Sequence, residues 1–351
     1  MKLVKLKVYS LSKQFIGEIQ KMLKILFMMV LIMSVACSSA GDNVSSKPMQ
    51  PLAAEKAAPA IEPEPAADPL PAKKAEEVKV EFSVTDALGN KVTFDSVPTR
   101  IATISPSATE ILYKVGGTSV IRDRASRYPA EVNNLPSVGS SYDPSIEELV
   151  AQNPDLVIIE ALTQSRFIGQ LQQLGLKVFA IKIETIDDLY NSLSNVGTIL
   201  GDTGYAQSVI EVIKQDLKTY GTGAEGKTAL MLIGDQDQNL YAATKSSYTG
   251  LIASLAGLEN AAGDAEDSGP YPGFALMSTE QILRANPDMI FTITPAPEPA
   301  PRLSQSLGFI PPFKGLKAMQ TNKVIESDVV IFLNSPGPRI VDAVAFMKEN
   351  F

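Results

Sequence analysis

Apolar residues recur at a helical period through Ala206, Val209, Ile210, Ile213, Leu217 and Tyr220, uninterrupted by proline. This spacing predicts the second half of a helical span over 185–221, with Thr203 as N-cap and Gly221 as the stop. On both sides the chain resembles itself. Residues 145–159 read SIEELVAQNPDLVII and residues 278–292 read STEQILRANPDMIFT, so Ser145, Glu147, Asn153, Pro154 and Asp155 fall on Ser278, Glu280, Asn286, Pro287 and Asp288 without gaps. The pattern predicts an α/β protein in which two similar lobes with mostly parallel sheets are joined by a single long helix. The cleft between them is the expected ligand site.

Short apolar runs alternate with helical stretches along the folded part. In the first lobe, 80–94 predicts two strands around the turn Leu88-Gly89-Asn90, and Ile101 to Ile104 a third strand. Ser107 with Glu110 forms the pattern of a capping box opening a helix. Helix 145–152, strand Leu156–Ile159, helix 165–174 and strand Lys177–Ile181 follow. In the second lobe the expected elements are strand Thr228–Ile233, a short strand near Leu240–Ala242, helix 248–257, helix 278–285 and strand Met289–Ile293. A proline-rich link then leads to a helix around Phe313–Met319. Strands near Val324 and over Val329–Phe332 precede a last helix opened by Pro338. This βα rhythm predicts parallel pairing. In both copies of NPD, Asn ends the helix, Pro blocks its continuation and Asp starts the turn into the strand.

Composition narrows the chemistry. The 351 residues contain no His, no Trp and one Cys. A Ser-His-Asp or Cys-His nucleophile, an imidazole-bound zinc and an intrachain disulfide are therefore excluded. No glycine-rich phosphate loop is present, and the expectation is a protein that is not an enzyme. After Cys37 there are 25 Lys/Arg against 38 Asp/Glu, with no basic block, so no nucleic-acid partner is expected.

The N-terminus reads as an address. Lys21 and Lys24 precede the apolar run Ile25–Met33, then Ser34-Val35-Ala36-Cys37, which predicts a signal peptide over 1–37. Its end resembles a lipoprotein lipobox with Cys37 as the lipidated residue, although Ser34 stands where Leu is usual. Met22 would give a signal of ordinary length. Residues 38–79, rich in Pro, Ala, Glu and Lys, predict a disordered tether. The lobes are then expected at 80–184 and 222–351, on either side of the span.

The segments PTRIATISPSATEILYKVGG, RYPAEVNNLPSVG, SIEELVAQNPDLVII, STEQILRANPDMIF, FKGLKAMQTNKV and SPGPRIVDAV occur in an order that resembles the solute-binding lipoproteins of cobalamin and iron-chelate ABC transporters. The likeness covers roughly 82–351. It implies an extracytoplasmic, lipid-anchored or periplasmic monomer that holds no cofactor of its own. Such a protein captures a corrinoid, with haem or a ferric siderophore as the alternative, and delivers it to a permease and its ATPase. This chain has no axial His to offer haem, and Tyr remains as a ligand type. The resemblance assigns permease docking to Glu147 and Glu280, each in the first turn of a helix, where a carboxylate is also favoured by the helix dipole. For the ligand, the expected residues are Ser105, Ser107 and Thr109 at a helix start, Tyr128 and Tyr142 on the next loops, and Ser247, Tyr248, Tyr271 and Phe274 from the second lobe. Helix N-termini would offer N–H groups and the rings flat apolar contact. Arg339 either meets an acidic ligand or holds local backbone.

Overall fold

A computed structural model describes residues 81–224, 226–297 and 299–351. The signal peptide, Cys37 and the whole tether lie outside the described residues.

The first lobe is built on three parallel strands, β3 (Ile101–Thr103), β4 (Leu156–Glu160) and β5 (Val178–Ile181), in that order. A hairpin of β1 (Phe82–Thr85) and β2 (Lys91–Phe94) precedes them. Asp86 closes its turn by accepting from the Leu88 and Asn90 N–H groups at 2.9 and 2.7 Å. In the second lobe β6 (Thr228–Gly234), β9 (Met289–Ile293) and β10 (Val324–Ser327) are parallel, in the order β6-β9-β10. β7 (Leu240–Ala243) and β8 (Phe274–Met277) extend the other edge antiparallel. The parallel strands are nearly continuous apolar runs because both faces are covered.

The 185–221 span is two helices, not the single long helix expected. α3 (Ile186–Ile199) and α4 (Thr203–Tyr220) pack on each other around a break at Gly201, whose φ of +75° suits glycine. Asp202, one residue before the expected cap, accepts the Tyr205 N–H at 2.9 Å. A Cβ on Gly197 would collide with that of Ala206, so the hairpin's close packing depends on this glycine. Gly221 stops α4 without the left-handed conformation (φ −78°); a Cβ there would instead meet the Leu255 carbonyl.

The α4 stripe predicted from spacing is buried apart from the partly buried Tyr220. It lies in a core running without interruption from Phe94 and Phe179 in the first lobe to Phe291, Phe332 and Met347 in the second. Each lobe keeps a separate core on the opposite face of its sheet. The shared core makes α4 part of both lobes.

The internal repeat has one structural role in both copies. Asn153 and Asn286 end their helices at φ +46° and +38°, in the left-handed region that Asn tolerates. Asp155 accepts from Thr99 N and Oγ1 at 2.8 and 3.1 Å, and Asp288 accepts from Thr228 N and Oγ1 at the same two distances. Each NPD thus staples the start of its lobe's first parallel strand to the end of a helix. Lys317 also pairs with Asp288 and holds that carboxyl below its ordinary range.

Three local expectations fail for identifiable reasons. Val330–Asn334 is a π-helix, not a strand. Asp328 Oδ1 accepts the Val330 N–H at 2.7 Å and the Ser335 N–H reaches Val330 O at 2.9 Å, so local capping overrides the β-branched run. The last helix, α7 (Ile340–Glu349), starts after Arg339 rather than at Pro338. Ser105, not Ser107, caps α1 (Pro106–Lys114), accepting the Ala108 N–H at 3.2 Å with Pro106 at the first helical position. Glu110 is thereby freed from the predicted capping box.

Behind α1 lies a buried polar chain. Thr103 and Thr109 hydroxyls share a 2.8 Å bond, Thr109 bonds Ser126 at 3.0 Å, and Ser126 donates to Asp123. Asp123 is fully buried, and burial pushes its carboxyl above the ordinary range despite three short hydrogen bonds. A raised folded-state value means stability that is complete below the ordinary carboxylate range and lost as pH rises through the raised value. Relative to the D123N variant, the wild type should therefore lose stability on going from about pH 4 to about pH 8. The missing acceptor adds only a constant offset, so the slope of the difference between urea midpoints is the test. A flat difference would show that Asp123 does not titrate in that range.

Candidate functional site

The two lobes meet at Glu110, in the middle of α1. Its carboxylate is buried (side chain 3 % exposed) and takes both arms of the Arg339 guanidinium, from Nε at 2.9 Å and from Nη2 at 2.5 Å. Ser335 Oγ donates to the same carboxylate at 2.7 Å. Arg339 and Ser335 come from the segment that links the π-helix to α7, so all three bonds cross from one lobe to the other. Burial pulls the guanidinium down; hydrogen bonds and charge from Glu110, with Asp342 and Asp328, more than restore it, leaving the net shift upward.

Local structure positions each partner. α1 is fixed by its Ser105 cap and its buried face of Ala108, Ile111 and Leu112. Behind Arg339, the Gly337 N–H donates to the Tyr248 hydroxyl at 3.3 Å. Burial pushes that phenol well above the ordinary tyrosine value. Thr249 Oγ1 donates to Phe332 O at 2.6 Å and ties the π-helix to α5 (Tyr248–Leu255). On the first lobe, Arg122 threads the loop that carries Tyr128. It donates from Nε to Val132 O at 2.8 Å and from Nη1 to Asp123 O and Ser126 O at 2.9 and 3.1 Å. The Tyr128 ring then lies 4.6 Å from the Arg339 guanidinium, face on.

Beside this pair opens a pocket of about 350 Å³. Its walls come from both lobes and from α4: Tyr113 and Lys114 of α1, Tyr128 and Glu131 of the loop, Tyr205 and Asp216 of α4, and Asp342 of α7. Three tyrosine rings and four carboxylates, counting Glu110, surround it, against two cations, Lys114 and Arg339. Among the described residues no group of three or more His, Cys, Asp and Glu is arranged to hold a bare metal ion.

Of the residues expected to bind ligand, this pocket brings together Tyr128 and Arg339. Ser105 and Ser247 are buried caps; Ser247 Oγ accepts from the Gly250 N–H at 2.9 Å and donates to Thr244 O at 2.8 Å. Ser107 is buried in the first turn of α1, and Thr109 belongs to the polar chain to Asp123. Phe274 is buried in β8, and Tyr271 packs edge-on against it and Tyr241. Tyr248 supports Gly337 from behind. Tyr142 projects from the first lobe, 64 % exposed, away from the pocket's lining. Glu147 and Glu280 are exposed, each the second residue of its helix, α2 (Ile146–Ala151) and α6 (Thr279–Ala285), behind serine caps at Ser145 and Ser278. Sequence reasoning missed Glu110, Tyr113, Tyr205 and Asp216. The available signals were a carboxylate inside the apolar SPSATEIL and the edge of the α4 stripe.

A family model described as periplasmic binding protein matches residues 101–329. The ABC transporter substrate-binding lipoprotein YvrC of Bacillus subtilis is 25 % identical over 290 residues, covering 79 % of this chain and 88 % of that protein. The cobalamin-binding protein of Halobacterium salinarum is 25 % identical over 304 residues, covering 83 % and 79 %. In the crystal structure of the petrobactin-binding protein YclQ of Bacillus subtilis, 96 % of the chain superimposes on 77 % of this one, with a TM-score of 0.67 at 18 % identity, a likeness of fold. By its matched span, its paired lobes and its interlobe pocket, the chain belongs to the periplasmic binding protein family.

Proposed function

We propose that this protein is the extracytoplasmic substrate-binding component of an ABC importer, and that it captures a corrinoid between its lobes and carries it to a permease with its ATPase. One observation carries the reading: a pocket built from both lobes and α4, lined by three tyrosines, in a chain similar over most of its length to a cobalamin-binding protein. Flat rings suit a macrocycle, and a pocket shared by two lobes lets binding and lobe orientation influence each other. Tyr128 and Arg339 are the proposed ligand-facing residues from the sequence reading, joined by Tyr113 and Tyr205. Cys37 is the proposed lipid attachment point, which metabolic labelling with a fatty acid reads directly, and the carrier works as a monomer.

Haem or a ferric siderophore is the alternative cargo, since the same tyrosines offer phenol oxygens where imidazole is lacking. A thermal-shift panel on the full chain with cyanocobalamin, cobinamide, haemin and ferric siderophores separates the readings. A ligand at 100 times its dissociation constant adds about 2.7 kcal/mol to native stability. A shift with corrinoids alone is the expected result. A shift with iron complexes alone transfers the assignment to them, and no shift with any member overturns it.

A further inference from the structure

Arg339 is the larger of the pocket's two cations and would be the natural receptor for a ligand carboxylate. In this structure its Nε and Nη2 are already spent on Glu110, and its guanidinium carbon sits over the Tyr128 ring. Glu110 is itself held by Ser335 and is buried, so it does not swing aside into water at low cost. Around the same pocket Glu131 and Asp342 are exposed and Asp216 half-buried, and all three line it.

We propose that Glu110 is a specificity-determining residue: by holding Arg339 in the interlobe ion pair it denies the cleft an anion receptor and, with Glu131, Asp216 and Asp342, selects neutral or cationic metal chelates over anionic ones. The inference rests on the chelate-carrier reading above. It adds a sign to the ligand's charge, which the fold alone does not specify. The physical basis is a difference of affinities. With the Glu110–Arg339 pair cancelling itself, an acidic ligand would have to enter a field of three further carboxylates, Glu131, Asp216 and Asp342, against the single cation Lys114. A neutral or cationic ligand of the same shape meets no such barrier.

The test uses two ligands of one shape and different charge, cyanocobalamin and its monocarboxylic acid derivative, with calorimetric dissociation constants on the full chain. The wild type should prefer the neutral corrinoid by about tenfold, the size of one charge interaction of 1.4 kcal/mol. Glu110→Gln, close to isosteric, should bring that ratio to within about threefold as the guanidinium loses its counter-charge. The double variant E110Q/R339Q, which removes both charges of the pair, should lose this gain for the acid and return toward the wild-type ratio. A wild-type ratio near one overturns the proposal. So does an E110Q ratio equal to the wild type's, or a double variant that behaves like E110Q, since the effect would then not pass through Arg339. If no form binds either corrinoid, the corrinoid reading falls separately. The same ratio is then taken between cationic ferrioxamine B and an anionic ferric tricatecholate, with the cation expected to bind more tightly. Failure to bind any of the four overturns both readings.

Discussion

Replacing Arg339 with alanine should lower the stability of the folded protein by about 3 kcal/mol, the low end of what removing one partner of a buried pair costs. The reason lies in what remains. Glu110 is 3 % exposed and would keep only the Ser335 hydroxyl, leaving a buried carboxyl in the lobe interface without its cation. The 18 % exposure of the Arg339 side chain lets some water approach, which sets the expectation at the low end. The companion variant E110Q/R339Q removes both charges together and should lose much less. Urea unfolding followed by circular dichroism checks both, and equal losses in the two variants would mean that packing of the arginine stem, rather than the ion pair, holds the interface. Because the pair joins residues 229 apart in sequence and on different lobes, R339A should also raise amide exchange along α1 and at the start of α7.

The second large effect concerns delivery. Reversing both exposed glutamates, Glu147→Lys with Glu280→Lys, should reduce transporter-dependent uptake about a hundredfold while leaving the ligand dissociation constant within about twofold, because the family resemblance assigns both to permease docking and like charges set against each other across an interface cost several kcal/mol. The symmetry of the two sites motivates this expectation. Each glutamate is the second residue of a short helix behind a serine cap, at matching positions of the internal repeat. Neither lies on the pocket. A helix start is also where an acid is ordinarily stabilising, so the single variants should cost no more than a few tenths to 1 kcal/mol of stability. Uptake measured in cells with the double variant, against ligand affinity measured on the protein, decides it. Normal uptake would reduce the two glutamates to helix-dipole residues.

Much of this molecule follows from short-range pattern. The α4 stripe at 206, 209, 210, 213 and 217 is buried as its spacing predicts, because a 3.6-residue period in apolar residues leaves one face to cover. The serine caps at 145 and 278, the asparagine stops at 153 and 286 and the strand Met289–Ile293 were equally legible, since each depends on residues within one turn of the chain. The repeat announced two lobes, and six segments in order announced the family.

Other features depend on competition among local caps, or on partners far away in sequence, that periodicity does not reveal. Val330–Asn334 carries strand-forming residues, yet the Asp328 cap and the bond from Thr249 to Phe332 O make it a π-helix. Ser107 and Glu110 match a capping box, but Ser105 takes the cap, and Glu110 finds Arg339 across the lobes. Ser105, Thr109 and Ser247, expected to meet ligand, are consumed by hydrogen bonds within the protein, because a buried hydroxyl costs free energy until it is paired. The sequence by itself determined most of the secondary elements, the two-lobed plan and the chemistry that is absent. Only the tertiary structure decided which side chains share the interlobe pocket, because a cleft between lobes is assembled from residues that no local periodicity relates.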